Sequence, residues 1–488
     1  MRTLTRRTML RSAGCAMAAA LAPSARAWST TTGQTAPPTV MTRVSAYMAD
    51  AATSALPADV VEHTKQHVLD TIAAMISGAE LLPGKAALRF ARAQSGKGTA
   101  TVVASNILAG PIEAALANGV LAHADETDDS HSLSQSHPGA AVVAAALAAG
   151  EEFGIDGTRF TRAVTLGYDI GPRMTMAMGG AEFRSETHRS THAIAGVFGA
   201  AAAASCAAGL TAEQMRWVLD YTSQQSAGIA VWGRDTDHIE KGFVFGGMPA
   251  RSGVTSALLV QLGWNGVGDV FSGADNFFEA YAPKAQPDMV VDGLGSRFEV
   301  TRTDIKKWTV GSPIQAPLDG IASLRGKHPF EADQVKSVVI RMAPTVAAVV
   351  DNREMPDICL QHMIAVMLID RTASFKAAHD KARMQDAGVL RQRAKVQLVK
   401  DDQLLPLLPV RVADVEILLA DGARLTERVT AVRGTPRNPM TRKEVIDKAR
   451  DLIDPVVGAS QAVRLVDRIF TLESVKNVRE LRPLLQRT

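Results

Sequence analysis

Three cysteines in 488 residues are too few for much of the chemistry that cysteine supports. Cys15 lies in the N-terminal segment, which leaves Cys206 and Cys359 for the body of the chain. An iron–sulfur cluster needs three or four thiolates, so cluster chemistry is excluded. Both remaining thiols sit in apolar helical patterns and are expected to be buried and unpaired. Aromatic residues make up only 5% of the chain, against 46% apolar residues overall. A β-sandwich needs more aromatic and β-branched side chains, whereas small apolar residues suit closely apposed helices. An excess of one charge is also missing, with 53 basic against 50 acidic residues and a formal net charge of +3. Removing a basic N-terminus brings the chain near neutrality, which speaks against a nucleic-acid partner or a polyanion surface. Past that segment, no uncharged run of membrane-spanning length is expected, and so no membrane anchor.

Residues 1–27 read as a signal peptide. Arg2, Arg6, Arg7 and Arg11 form a basic region without acids, Ala13 to Ala22 is a short apolar stretch, and Ala25-Arg26-Ala27 offers a cleavage site. The run Thr5-Arg6-Arg7-Thr8-Met9-Leu10 looks like a twin-arginine signal, which predicts a periplasmic or secreted protein. Residues 28–40, rich in Ser, Thr and Pro, read as a disordered linker.

From Val40 to about Ala282 the sequence predicts helix after helix. Pro57 and Pro111 each open one, and later helices are expected over His137–Phe153, Gly157–Met178, Ala193–Ala208, Thr211–Trp232 and Ala250–Leu262. Thr211 with Gln214 makes a capping box. The runs Ala140–Ala149 and Gly199–Ala208 predict helices buried on all sides. The texture changes near residue 295. Phe298–Arg302, Val335–Met342 and Ala394–Leu398 alternate like strands, Pro313–Leu324 and Asp357–Ile369 read as helices, and Asp421-Gly422 marks a hairpin turn. Plain helical patterns return over Thr441–Ile453 and Ala459–Leu472. The expected fold is therefore mostly α: a helical domain over 41–290, an α+β segment over 291–433, and a helical tail over 434–488 that returns to the first domain.

The sharpest chemical feature runs from His123 to Gly139. Four carboxylates (Asp125, Glu126, Asp128, Asp129) and three histidines (His123, His131, His137) crowd one interhelical loop, with Ser130 beside them. Such a cluster shifts pKa values, and a histidine held by carboxylates is suited to proton transfer. His137 also begins a helix, where the dipole favours a bound anion. The alternatives are a solvated acidic loop and a metal site, but adjacent side chains at Asp128 and Asp129 diverge and no H-E-x-x-H pair occurs, so no metal is expected. Lys241, expected in a glycine-punctuated turn, and Lys306, at the change of texture, supply candidate cations for an anionic substrate. His188 and His192, before a small-residue run, remain equivalent candidates at this level.

These motifs together resemble the MmgE/PrpD family, which includes 2-methylcitrate dehydratase, cis-aconitate decarboxylase and iminodisuccinate epimerase. The carriers are H-A-D-E-T-D-D-S-H…H-P-G (123–139), G-V-F-G-A-A-A-A-A (196–204), Lys241 with its glycines, I-K-K-W (305–308), L-Q-H-M-I-A-V-M-L-I-D (360–370) and G-T-P-R-N-P-M-T (434–441). The resemblance extends from about Met41 to Leu484. It implies a lid role for the α+β segment, a homodimer, a site between the two domains, and no metal or organic cofactor. It also implies that His137 is the catalytic histidine, that Asp128, Asp129 and Ser130 correspond to a D-D-T run, and that Lys241 and Lys306 line the substrate site. Glu126 stands where the family usually has aspartate, and His362 where the decarboxylases carry a tyrosine.

The expected function is a lyase for a small di- or tricarboxylate. Lys241 and Lys306 would stabilise a carbanion or dienolate, His137 would move the proton, and His362 would serve as a second acid. Glu126, Asp128, Asp129, Ser130 and His192 would contact substrate. A second acid favours dehydration, with epimerisation, isomerisation or decarboxylation as alternatives within the family. A periplasmic binding protein for acidic metabolites and a metal-dependent hydrolase are the alternatives outside it.

Overall fold

Runs of alanine, glycine and valine become buried helices. The computed structural model describes residues 38–96 and 98–487. The signal peptide expected over 1–27, and most of the linker, lie outside those residues. Helices Ala58–Gly78, Pro111–Ala122, Pro138–Phe153, Gly157–Ala177, Thr191–Ala208 and Met248–Gln261 build the larger part of the fold. Every residue from Pro138 to Glu151 is buried, because an alanine surface lets neighbouring helices close in from all sides. Gly171 and Gly199 show how near they come. A Cβ on Gly171 would meet the Ala195 carbonyl oxygen at 2.4 Å, and one on Gly199 would meet that of Gly167 at 2.8 Å.

Thr191–Ala208 corrects an expectation about membrane-length segments. Its 18 residues have a mean hydropathy of 1.4, enough to cross a membrane by length and composition, but 94% of the helix is buried inside the protein. Ile239–Gln261 also has the length and hydropathy, and 67% of its apolar window is buried. Both are accounted for as core helices.

The same core takes in Val445, Ala449, Leu452 and Ile453 from helix Arg442–Val457, and Leu465 and Ile469 from helix Ala459–Phe470. Lys448 joins this C-terminal segment to helix Ala58–Gly78 through a 2.6 Å ion pair with the buried Asp70. A second core is built from mixed elements. Strand Val335–Met342 lies between Val396–Lys400, which runs parallel to it, and Ala413–Leu419, which runs antiparallel; Arg424–Val429 completes a four-stranded sheet. Helices Ser312–Lys327 and Leu360–Asp370 pack on that sheet. Gly422, at φ 91°, makes the hairpin turn that Asp421-Gly422 predicts. The fold is mostly α with small sheets, and Cys206 and Cys359 are buried and free.

Three local expectations change. Phe298–Arg302 does not join a sheet; Glu299–Arg302 is one tight helical turn. The Glu299 N–H donates to Asp169 at 2.9 Å, and its carboxylate accepts from Arg297 and Arg302, so polar partners decide the conformation. The helix after Thr211 starts with its capping box but ends at Gln224. Gly228, at φ 106°, turns the chain there, and Ala230–Arg234 is a separate 3-10 turn. Lys241 lies in a helix, not a turn: Ile239–Gly242 passes through the π-helical Phe243–Gly247 into Met248–Gln261. The glycines there serve helix contact, since a Cβ on Gly246 would meet the Gly119 carbonyl oxygen at 2.0 Å.

Candidate active site

The acidic loop is not a solvated turn. It links helix Pro111–Ala122 to helix Pro138–Phe153, and every residue from His123 to His131 is buried. Buried carboxylates need partners, and each of the four has its own. Asp125 faces His379 at 2.9 Å. Glu126 pairs with Lys241 and lies 3.9 Å from Lys306 Nζ. Asp128 holds His123 Nδ1 at 2.9 Å through one oxygen and His137 Nδ1 at 3.1 Å through the other. Asp129 faces His67 Nδ1 at 2.9 Å and accepts from Tyr168 at 2.5 Å and from the Gly139 N–H at 3.0 Å. The neighbouring carboxylates diverge as the sequence predicts, with different tasks. Asp128 supports the cavity; Asp129 anchors the loop and the start of the helix.

An ionised carboxylate only accepts, so His123 and His137 present Nδ1–H to Asp128 and each leaves Nε2 as the basic nitrogen. Burial would raise the Asp128 carboxyl, but His123 and His137 outweigh it and hold it well below the usual range. Burial pushes His137 down to about 4; Asp128 opposes that shift and Lys306 adds to it. His137 is therefore a neutral imidazole near pH 7. His192 lies 5.2 Å from it, centroid to centroid, and stacks on Phe245 at 3.7 Å. Burial, followed by the field of His137, holds His192 well below its ordinary pKa. The π-helical turn thus carries the aromatic shelf of the site, Phe245, which also stacks on His123 at 4.5 Å.

Two cations face this group. Lys241 Nζ lies 5.3 Å from the Phe245 ring centre and 5.6 Å from that of Trp232. Lys306 is buried, donates to the Glu126 carbonyl oxygen at 2.7 Å and approaches Asp128 Oδ1 at 3.7 Å. Burial would raise Glu126, yet Lys241 and Lys306 hold it well below the usual carboxylate range.

Glu126, Ser130, His137, His192 and Lys241 line one cavity of about 900 Å³. Lys306 and Ser130 line an adjoining chamber of about 300 Å³, and Ser130, Ser312 and Arg411 line both. His192 and not His188 belongs to the site; His188 caps helix Gly180–Thr187 and is exposed. Three expected contacts are corrected: Asp128, fully buried and held by His123 and His137, does not line the cavity, and neither do Asp129 and His362. Asp129 is enclosed among its own partners and does not line the cavity. His362 lies on helix Leu360–Asp370 inside the second core, fully buried and with neither ring nitrogen hydrogen-bonded. Its helical, apolar surroundings fill that core, and the structure does not bring it to His137.

Metal ligation has two candidate sets among the described residues: His123, Asp128 and His137, and His123, Glu126 and His238, each with ligand atoms within 4.8 Å of one another. Lys306 beside Asp128 and Lys241 on Glu126 already neutralise those carboxylates, which disfavours a divalent cation on either set. Sequence reasoning missed His238, Phe245, His379 and Arg411. His238 stood next to Lys241 in a run already of interest, whereas nothing around Arg411 marks it.

The family model of the MmgE/PrpD N-terminal domain matches residues 42–290, and that of the MmgE/PrpD C-terminal domain matches residues 308–472. A cis-aconitate decarboxylase of Aspergillus terreus is 25% identical over 480 residues, which cover 91% of this chain and 96% of that protein. The cis-aconitate decarboxylase-like protein oryM of Aspergillus oryzae is 24% identical, covering 88% and 94%. The cis-aconitate decarboxylase of Homo sapiens is also 24% identical, covering 88% and 90%.

Proposed function

The chain belongs to the MmgE/PrpD family, and on that premise we propose that it is a cofactor-independent lyase for a small tricarboxylate, with decarboxylation of a cis-aconitate-like acid as the first reading. One observation carries the proposal: His137, held through Nδ1 by a buried Asp128, shares its surroundings with Lys241 and Lys306. The relatives' names favour decarboxylation.

In a substrate with a carbon–carbon double bond β to the departing carboxylate, the C–C bond to that carboxylate breaks and CO2 leaves. The electron pair moves through the double bond onto a second carboxylate as a dienolate. Lys241 and Lys306 stabilise the charge that collects on its oxygens. Carbon then takes a proton from His137 Nε2, and water restores it. His137 is neutral on its own near pH 7, but the carboxylates of a bound substrate favour its protonated form, so substrate itself arms the acid.

Hydro-lyase chemistry is the second reading, because a neutral His137 suits removal of a C–H proton. The absence of His362 from the cavity lining takes away the acid expected for hydroxide departure, which ranks this reading second. The same proposal includes residues 291–433 as a lid over a scaffold formed by 41–290 and 434–488, a homodimer, and export through a twin-arginine signal at 1–27. The lid is supported by the lining: Glu126, His137 and Lys241 come from one segment, Ser312 and Arg411 from the other.

A panel of polycarboxylates, followed by proton NMR and CO2 release, tests the reading. Cis-aconitate is expected to release CO2; citrate and 2-methylcitrate test the hydro-lyase alternative by loss of water. Failure to turn over any member of the panel would overturn the assignment as a lyase.

A further inference from the structure

The two chambers meet at a group that the chemistry above leaves unused. Arg411 lines both, is partly buried, and forms no ion pair or hydrogen bond among the described residues. Arg437 is also unpaired, but it is exposed and lines only the smaller chamber; the remaining arginines around the chambers are engaged. Arg302 pairs with Glu299 and Arg433 with Glu444; Arg184 lies over the Trp232 ring, and Arg353 donates to the Val349 carbonyl oxygen. Ser130 gives a second, independent sign. Its residue exposure is 5%, its hydroxyl has no hydrogen-bond partner, and it too lines both chambers. A third comes from helix Ser312–Lys327, which begins at this junction with no side chain capping its first turn.

A partly buried, unpaired guanidinium, an unpartnered buried hydroxyl and the positive end of a 16-residue helix share one chemical preference. Each gains from an anion with acceptor oxygens in a plane, and a guanidinium binds a carboxylate through two parallel hydrogen bonds. Two carboxylates face Arg411: Glu126, which Lys241 already holds, and Asp304. Asp304 lines the smaller chamber, where its carboxylate accepts from Ser132 at 3.2 Å; burial raises its pKa and Arg411 lowers it. Asp304 does not close on Arg411 as an ion pair, so the cation is left available.

We propose that Arg411, with Ser130 and the start of helix Ser312–Lys327, forms a separate subsite for the carboxylate of the substrate farthest from His137, and that this subsite selects tricarboxylates over dicarboxylates. The inference rests on the polycarboxylate reading and adds the residue that sets substrate size. Lys241 and Lys306 hold the carboxylate on which the developing charge collects. Arg411 holds one that takes no share of it, so its contribution is equal in the ground state and the transition state.

Calorimetric titration with two unreactive probes tests this, tricarballylate with three carboxylates and glutarate with two. Wild-type protein is expected to bind tricarballylate at least about tenfold more tightly than glutarate. In Arg411→Gln the preference should vanish while glutarate affinity stays within about twofold, which also shows that the site is still folded. Arg411→Lys should keep part of the preference, because charge remains and the two-pronged geometry is lost. An unchanged preference in Arg411→Gln, or none in wild-type protein, overturns the subsite and leaves the lyase reading standing. Failure of wild-type protein to bind either probe overturns both.

Discussion

Asp128 holds two histidines at once, His137 Nδ1 on one oxygen at 3.1 Å and His123 Nδ1 on the other at 2.9 Å. A buried carboxylate shared in this way fixes the orientation of His137 and turns its free Nε2 away from Asp128. It also opposes the burial that drives the His137 pKa down to about 4. Replacing Asp128 with asparagine removes that opposition. The alkaline limb of the pH–rate profile, where the protonated His137 is lost, should then move to lower pH, and kcat should fall by about 10²–10³ with KM nearly constant. An unmoved alkaline limb would mean that Asp128 does not act through His137.

Lys306 is expected to serve stability and catalysis together. It is buried between the Glu126 carbonyl oxygen and Asp128, so Lys306→Met leaves two buried carboxylates short of a cation. A loss of about 3 kcal/mol in unfolding free energy is expected in denaturant titration, with a large drop in kcat/KM. Lys241 is more exposed, and Lys241→Met should cost less stability while still lowering kcat/KM. Equal losses of stability in the two variants would contradict this division.

Stability should have an acid limb and an alkaline limb of different origin. His137 is held near 4 and His192 and His238 well below their ordinary value, all by burial. Their unfolded forms take up protons from about pH 6.5 downward while the folded forms do not, so stability falls from there toward pH 4. His379 is the reverse case: burial lowers it, but Asp125 and Asp357 raise it to about 9. Its contribution is complete below about pH 6.5 and lost as pH rises through 9. Thermal melts of His379→Gln should show a flatter alkaline limb than the parent. An alkaline limb of unchanged steepness would assign it to other groups.

His362→Gln should turn over substrate within about threefold of the parent rate, because the residue lies in the second core and does not line the cavity. A fall of two orders of magnitude, with an unchanged melting temperature, would restore it as the second acid.

The helical body was legible because alanine and valine recur at helical spacing and the proline and capping signals mark where helices begin. The acidic loop and the two lysines were legible as chemistry, since unlike charges at that density need one another. What stayed hidden was decided by distant partners. Asp129 reads as a substrate ligand until His67, 62 residues upstream, and Tyr168, 39 residues downstream, are seen to enclose it. Phe298–Arg302 alternates like a strand, but Asp169, 130 residues earlier, takes the Glu299 N–H and bends it into a turn. His362 shares its apolar spacing with core residues, so resemblance alone brought it toward the site. Arg411 carries no local pattern, and only the meeting of two chambers distinguishes it from a surface arginine.

The central claim is that His137 delivers the proton. Turnover of cis-aconitate in D2O, followed by proton NMR for the parent and His137→Asn, tests it most directly. The parent should incorporate one deuterium on carbon for each CO2 released. His137→Asn should lose about 10³ in rate while melting within about 3 °C of the parent. Near-parental CO2 release and deuterium incorporation by folded His137→Asn would contradict the account.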